Sequence, residues 1–170
     1  GQFTYIYVYN AASYKNYVNY SSISRCVNEN SSSRDSLRHG YGKHCYPSVN
    51  ISMNKCYSRT GIICLPTSVS NSVTLTMSYS TIADNTGTGY NCICLWTVGA
   101  QFEIKSYNIL RNAQSSSSEG TIITNGNLMI EDSCILENTA TNIFYQGNSN
   151  YRITLSNCTV DSTSKYGSVV

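Results

Sequence analysis

A pattern of apolar and polar residues returns at nearly constant intervals along most of this chain, and such self-similarity restricts the fold more than any composition does. The segment Leu75-Thr-Met77-Ser-Tyr-Ser-Thr-Ile82-Ala-Asp-Asn85 recurs as Phe102-Glu-Ile104-Lys-Ser-Tyr-Asn-Ile109-Leu-Arg-Asn112 and again as Leu128-Met-Ile130-Glu-Asp-Ser-Cys-Ile135-Leu-Glu-Asn138. A fourth copy, Ile153-Thr-Leu155-Ser-Asn-Cys-Thr-Val160-Asp-Ser-Thr163, keeps the apolar positions and ends on Thr in place of Asn. Successive copies lie 27, 26 and 25 residues apart. Upstream, Ile51-Ser-Met53 stands 24 residues before Leu75-Thr-Met77, and Tyr20-Ser-Ser-Ile23 resembles Tyr79-Ser-Thr-Ile82, so the pattern predicts about five rungs of 24–27 residues, the first two degenerate.

Within each copy, Leu75/Met77, Phe102/Ile104, Leu128/Ile130 and Ile153/Leu155 alternate with polar residues at period two, the signature of a strand with one buried face. A second short apolar run follows each copy: Ile62-Ile63-Cys64-Leu65, Cys92-Ile93-Cys94-Leu95, Thr121-Ile122-Ile123, Asn142-Ile143-Phe144 and Gly167-Ser-Val-Val. Each repeat therefore carries two strands, with room for a third. A unit of this size cannot close its own core, but stacked copies bury the inner face of each against the next. Leucine-rich repeats have a similar period, yet the L-x-x-L-x-L-x-x-N spacing is missing. The fold class predicted is all-β, a right-handed parallel β-helix. Composition agrees: Ser and Asn fill 46 of 170 positions while Ala and Leu fill 14, which is poor material for long helices. Nineteen aromatic residues argue against disorder.

Residues 1–170 read as a single β-helix segment, expected to be part of a longer repeat array because strand-like runs stand at both ends. Residues 27–48 break the period and are expected to form a projecting loop, of which 27–45 could be removed with folding largely intact; Ser115 to Ser118 suggest a smaller one. No run of about 18 apolar residues is present, so no membrane span is expected in this segment. Eleven Lys or Arg against nine Asp or Glu form no basic stripe, which weighs against nucleic acid as a partner.

Eight cysteines occur without a C-x-x-C pair, which gives no spacing for zinc. Cys56 and Cys158 align with the column of Ser80, Tyr107 and Ser133, and Cys92 and Cys94 are expected to share one side of a strand, so most of the thiols read as buried, stacked side chains. A Cys26–Cys45 bridge across the loop is the other reading. His39, His44, Cys45 and Asp35 form a local cluster of candidate ligands, but a Ser-rich loop offers them no rigid support. Neither a metal nor another cofactor is expected. The charged residues Glu103, Lys105, Arg111, Glu131, Asp132, Arg152 and Asp161 fall at outward positions, with Glu131 in the column of Lys105, Ser78 and Ser156. Cross-rung charge pairing explains them, and no catalytic residue is assigned; under an enzymatic alternative, Glu131 and Asp132 are the candidate acidic pair. Four N-x-S/T sequons mark Asn19, Asn30, Asn50 and Asn157 as candidate N-glycosylation sites.

The phrases Ile82-Ala-Asp-Asn85, Ile109-Leu-Arg-Asn112 and Ile135-Leu-Glu-Asn138, with Gly120-Thr-Ile-Ile and Gly167-Ser-Val-Val, resemble the F-x-x-N and G-G-[AILV] motifs of polymorphic outer-membrane-protein-like right-handed β-helices. Richness in Asn, Ser, Tyr and Cys is similar to that of large surface proteins of trichomonads. The resemblance covers residues 49–170 best; Ile stands where the family usually has Phe. It implies a noncatalytic repeat scaffold at the cell surface or outside the cell, acting in adhesion or display, with neighbouring rungs and an extracellular protein or glycan as partners. The alternative is a carbohydrate-active β-helix, either a polysaccharide lyase or a glycoside hydrolase.

Overall fold

The structure is a computed structural model and describes residues 4–7, 15–28, 37–56, 60–69, 71–88, 91–115, 120–162 and 164–170. It is an all-β parallel solenoid, and the described residues contain no helix. The first sheet stacks Thr4–Tyr7, Leu37–Gly40, Thr60–Leu65, Asn91–Leu95, Gly120–Thr124, Asn142–Gln146 and Lys165–Tyr166, in chain order and all parallel. The second runs through Lys15–Tyr17, Lys43–Pro47, Val73–Ala83, Gln101–Leu110, Asn127–Glu131 and Ile153–Ser156. Its continuation beyond a bend stacks Ser21–Ser24, Val49–Ser52, the ends of the two long strands, Cys134–Leu136 and Thr159–Val160. A third, narrow sheet joins Val27–Asn28, Lys55–Cys56, Thr86–Gly87 and Ala113–Gln114.

One column of side chains defines the helical turns: Ile23, Ile51, Ile82, Ile109, Ile135 and Val160 stand in register, five turns apart from first to last. Ile51, Ile82, Ile109 and Ile135 are fully buried. Parallel columns on the second sheet hold His44, Leu75, Phe102, Leu128 and Ile153, then Tyr46, Met77, Ile104, Ile130 and Leu155. Each fully buried aliphatic side chain contributes roughly 1.5–3 kcal/mol, and no single turn could bury its own inner face.

Two columns of left-handed residues make the corners. Tyr20, Ser48, Tyr79, Ser106, Asp132 and Asn157 have φ of 47–57°, three positions before the Ile column, and bend the second sheet there. Arg25, Met53, Asp84, Arg111 and Glu137 have φ of 52–58°, two positions after it. None is β-branched, the type for which this conformation is most strained. Amides at the corners join the inter-turn ladder, as in Asp84 N to Leu110 O at 3.0 Å and Arg111 N to Leu136 O at 3.0 Å.

Immediately after the second corner comes a buried asparagine ladder. Oδ1 of Asn85 accepts from the backbone N and Nδ2 of Asn54 at 3.0 Å each, Oδ1 of Asn112 accepts from the same two atoms of Asn85 at 3.1 and 2.9 Å, and Oδ1 of Asn138 accepts from those of Asn112 at 3.0 and 2.9 Å. Each Nδ2 also donates to the carbonyl of an Ile one turn back, Ile23, Ile51, Ile82 and Ile109 in order. Cys26 occupies the next place in the column and donates its amide to Asn54 Oδ1 at 3.0 Å.

Three expectations are corrected. Residues 37–47 are not part of a projecting loop: they form two strands, with Leu37, His39, Gly40, His44 and Tyr46 buried, while residues 29–36 lie outside the described residues. The early register also differs, because Ile51 pairs with Ile82, and His44 and Tyr46 fill the places opposite Leu75 and Met77. The intervals there are 28 and 31 residues rather than 24. Tyr46 supplies apolar bulk that a search for aliphatic residues passes over, and His44 takes an inward place usually held by an apolar side chain. Cys56 stands opposite Gly87 and Asn28, not in the column of Ser80, Tyr107 and Ser133, where Val49 and Cys158 stand.

On the first sheet the apolar runs are buried on both faces. Ile62, Cys64, Ile93, Leu95 and Ile122 face the main core, whereas Ile63, Cys94 and Ile123 form a second cluster outside it with Leu65 and Tyr145. Continuous apolar runs rather than alternation are what such a strand requires. Cys92 and Cys94 do not share a side: Cys92 takes a φ of 70° and packs in the main core. Its partner Gly61 has a φ of 98°, and a Cβ there would lie 2.1 Å from the Cys92 carbonyl oxygen.

Candidate functional site

The outward face of the second sheet carries the acidic pair singled out by sequence. The register places Ser78, Lys105, Glu131 and Ser156 in one column and Asp132 with Asn157 at the adjoining corner, as expected. Lys105 Nζ lies 3.6 Å from Glu131 Oε2 and 3.5 Å from Asp132 Oδ2, and Asn157 Nδ2 donates to Asp132 Oδ1 at 2.8 Å. A shallow groove of about 560 Å³ runs alongside, lined by Glu103, Lys105, Glu131, Arg152, Gln101 and Asn127 among others.

The electrostatics of this cluster are those of an exposed ion-pair network. The hydrogen bond from Asn157 and the Lys105 ammonium hold the Asp132 carboxyl below its ordinary value, and the Asp132 and Glu131 carboxylates raise Lys105. A general acid needs a raised carboxyl and a lysine base a lowered ammonium, so neither Asp132 as acid nor Lys105 as base is favoured. A similar pair closes the second corner: Arg111 Nε and Nη2 donate to Asp84 Oδ1 and Oδ2 at 2.7 and 3.0 Å, which lowers the Asp84 carboxyl. Glu137 N donates to Asp161 Oδ2 one turn on. Glu103 and Arg152 are exposed like these.

His39 and His44 are inside the solenoid, not on a solvated loop. His39 continues the inward column of Cys64, Leu95, Thr124 and Gln146, and His44 stands between Asn16 and Leu75 in the neighbouring one. The rings stack across the corner between them, centroids 3.7 Å apart and planes within 7°. His44 Nε2 donates to the Tyr41 carbonyl at 2.7 Å; Cys64 Sγ donates to Tyr46 Oη, whose own proton is then directed at His39 Nδ1, 2.6 Å away. His39 Nε2 and His44 Nδ1 are buried without partners. Burial pulls the His39 pKa down to about 4. Burial and the neighbouring His39 pull His44 to about 3. Burial pushes the Cys64 thiol up to about 12. Among the described residues no group of three or more His, Cys, Asp or Glu side chains could hold a metal ion, and Asp35 lies outside them. Cys26 and Cys45 are free thiols, not bridged.

Of the sequon asparagines, Asn19, Asn50 and Asn157 are exposed and Asn30 lies outside the described residues, as do Ser116 to Ser118. Sequence reading missed the Asp84–Arg111 pair, although a 27-residue shift brings the two into register, and it missed the first rung of the asparagine ladder, although Ile51-Ser-Met-Asn54 repeats the Ile-x-x-Asn phrase. It also missed an open cleft at the corner after the first sheet, where Tyr41 and Trp96 are among the lining residues.

No family model, curated protein or solved structure matches this chain. Among the described residues no helix is long and apolar enough to cross a membrane.

Proposed function

We propose that this protein is a noncatalytic β-solenoid scaffold that works at a cell surface or outside the cell, displaying its faces and corners for adhesion to host or matrix molecules. The observation that carries this reading is the pairing of outward charges along the stack. Lys105 with Glu131 and Asp132, and Arg111 with Asp84, join adjacent turns instead of converging on a substrate-sized point. Such ladders suit a rigid rod whose surface is fixed by register. Exposed rings supply contact area: Tyr20 and Tyr79, in one corner column, are 84% and 70% exposed. The resemblance to polymorphic outer-membrane-protein-like and trichomonad surface repeats supports the same reading.

The test is binding of the folded 170-residue chain to immobilised extracellular-matrix proteins and to intact cells. Saturable adhesion weakened by a Tyr20→Ser/Tyr79→Ser double change is expected. A polysaccharide shortened by the chain, with activity abolished by Asp132→Asn, would replace this reading with the enzymatic one.

A further inference from the structure

The turn built from Leu37–Gly40 and Lys43–Pro47 is closed by two histidines where later turns use mostly apolar side chains. His39 lies on the first-sheet strand and His44 on the second, 0% and 1% exposed, with ring centroids 3.7 Å apart across the corner. Both are held as neutral rings. His39 Nδ1 faces the Tyr46 hydroxyl proton at 2.6 Å, and His44 Nε2 donates to the Tyr41 carbonyl at 2.7 Å. The other two nitrogens are buried without partners. A proton added at His39 Nδ1 would meet the Tyr46 O–H, and one added at His44 Nδ1 would find no acceptor. Protonating both rings would set two like charges in direct contact.

Nothing packed on the rings offsets such a charge. Asn16 and Leu75 stand on either side of His44, and Ile6 and Cys64 on either side of His39. The titratable groups facing the pair are Tyr46 and Cys64, with Tyr107 close to Tyr46; burial raises all three, so they stay neutral in acid. Arg38 and Lys43, beside the histidines in their strands, and Lys15, opposite Lys43, are cations at outward positions. The described carboxylates, Asp84, Glu103, Glu131, Asp132, Glu137 and Asp161, belong to later turns and none is buried. Burial holds His39 at about 4, and burial with the neighbouring ring holds His44 at about 3, against 6.5 for a solvated imidazole. The closed values lie below the open one, so opening takes up protons and acid favours it.

The build of the stack confines that opening. Later turns place Leu75, Phe102, Leu128 and Ile153 in the His44 column, and Leu95, Thr124 and Gln146 beyond Cys64 in the His39 column, none of which takes a proton. Each turn leans only on its neighbours. The histidine turn is also the joint between the exposed tyrosines of the corner column: Tyr20 N donates to Pro47 O at 3.2 Å, and Ser48 N to Ser78 O at 2.9 Å.

We propose that the stacked His39–His44 pair is an acid-operated latch: proton uptake opens the turn of residues 37–47 and uncouples Tyr20 from Tyr79, while the turns from Val73 onward stay closed. The consequence for adhesion rests on the scaffold reading; the opening does not.

The experiment is hydrogen exchange on the 170-residue chain at pH 7.5 and 5.0, with rates referred to unprotected peptide at each pH. The amides of Val18, Tyr41 and Ser48, bonded to Cys45 O, Leu65 O and Ser78 O, report on the latch, and those of Arg111 and Asn125, bonded to Leu136 O and Leu95 O, on later turns. Each histidine is expected to raise the opening equilibrium about thirtyfold between the two pH values, and the pair on the order of a thousandfold. Protection at the first three amides should fall accordingly, recover at neutral pH, and stay within about threefold at the other two. His39→Gln and His44→Leu introduce residues that their own columns already hold, Gln146 and Leu75. Each should remove about thirtyfold of the acid effect and the double change nearly all of it, with folding at pH 7.5 checked by circular dichroism. A second readout needs no variant: in wild type both imidazoles should remain neutral by NMR at pH 6.0. A ring protonated at pH 6.0 with Tyr41 still protected, no loss of protection at pH 5.0, equal loss at Arg111 and Asn125, or an undiminished acid effect in the folded double variant would each overturn the latch. Adhesion should weaken at pH 5.0 in wild type and hold in the double variant. Adhesion unaltered by acid despite the opening sinks the uncoupling of the tyrosines; no adhesion at either pH sinks the scaffold reading, and exchange still decides the latch.

Discussion

At the scale of single residues, the asparagine ladder and the histidine pair show opposite uses of burial. Asn112 Oδ1 receives both Asn85 donors, and its Nδ2 reaches the Ile82 and Leu110 carbonyls and Asn138 Oδ1. Asn112→Ala removes these bonds and strands buried groups on both neighbours, so a loss of about 2–4 kcal/mol is expected in urea unfolding. A loss under 0.5 kcal/mol would mean that the ladder does not hold the turns together. His39 and His44 behave otherwise, since their folded pKa values of about 4 and about 3 lie below 6.5. The unfolded chain therefore binds more protons between those limits, and stability, full above pH 6.5, should fall as pH drops toward 4, by on the order of 3 kcal/mol for His39. Around the rings stand Tyr41, Tyr46 and Cys64, none of them a carboxylate that could compensate the charge. The depressed Asp84 and Asp132 act below their ordinary value of 3.8, in a lower window. Melting temperatures from pH 7.5 to 4.5 check this: wild type should slope and His44→Leu, which matches the Leu75 column, should be flatter. A flat wild-type profile would contradict it.

Strands carry the distinction between the two sides of a sheet. Ile104 is buried between Met77 and Ile130, and the next residue, Lys105, is exposed. Ile104→Asp should cost about 4 kcal/mol or more, because a carboxylate would sit between apolar neighbours without a partner. Lys105→Ser, which breaks only solvent-exposed ion pairs, should change stability by about 0.5 kcal/mol or less. Equal effects in denaturant titrations would place the register one residue off. Alternation made these second-sheet strands legible from sequence. The first-sheet runs were legible only as apolar, since Ile62 and Ile63 are both buried and periodicity does not say which side each one faces. The left-handed corners carry no single residue type to announce them: Tyr79, Ser106 and Asp132 share one conformation because they share a place in the stack.

For the whole molecule, stability is the sum of turns and of the contacts between neighbours. Deleting residues 27–45 removes the Leu37–Gly40 strand, most of Lys43–Pro47 and both histidines, so it should break the stack between the first turn and the Val73–Ala83 strand. Hydrogen exchange is expected to show the Ile82, Ile109 and Ile135 amides still protected in that variant, with protection lost at Ile23 and Ile51; retention there would return this region to the status of a dispensable loop. The sequence by itself determined the solenoid, the inward columns from Leu75 onward and the facing of Lys105 with Glu131, because a constant repeat length converts spacing into register. Tertiary structure alone decided the place of residues 37–47 and the burial of His39 and His44. In the early turns the interval stretches to 28 and 31 residues and polar side chains fill apolar columns, so register there is set by what packs against Leu75 and Met77 and not by any pattern within the segment.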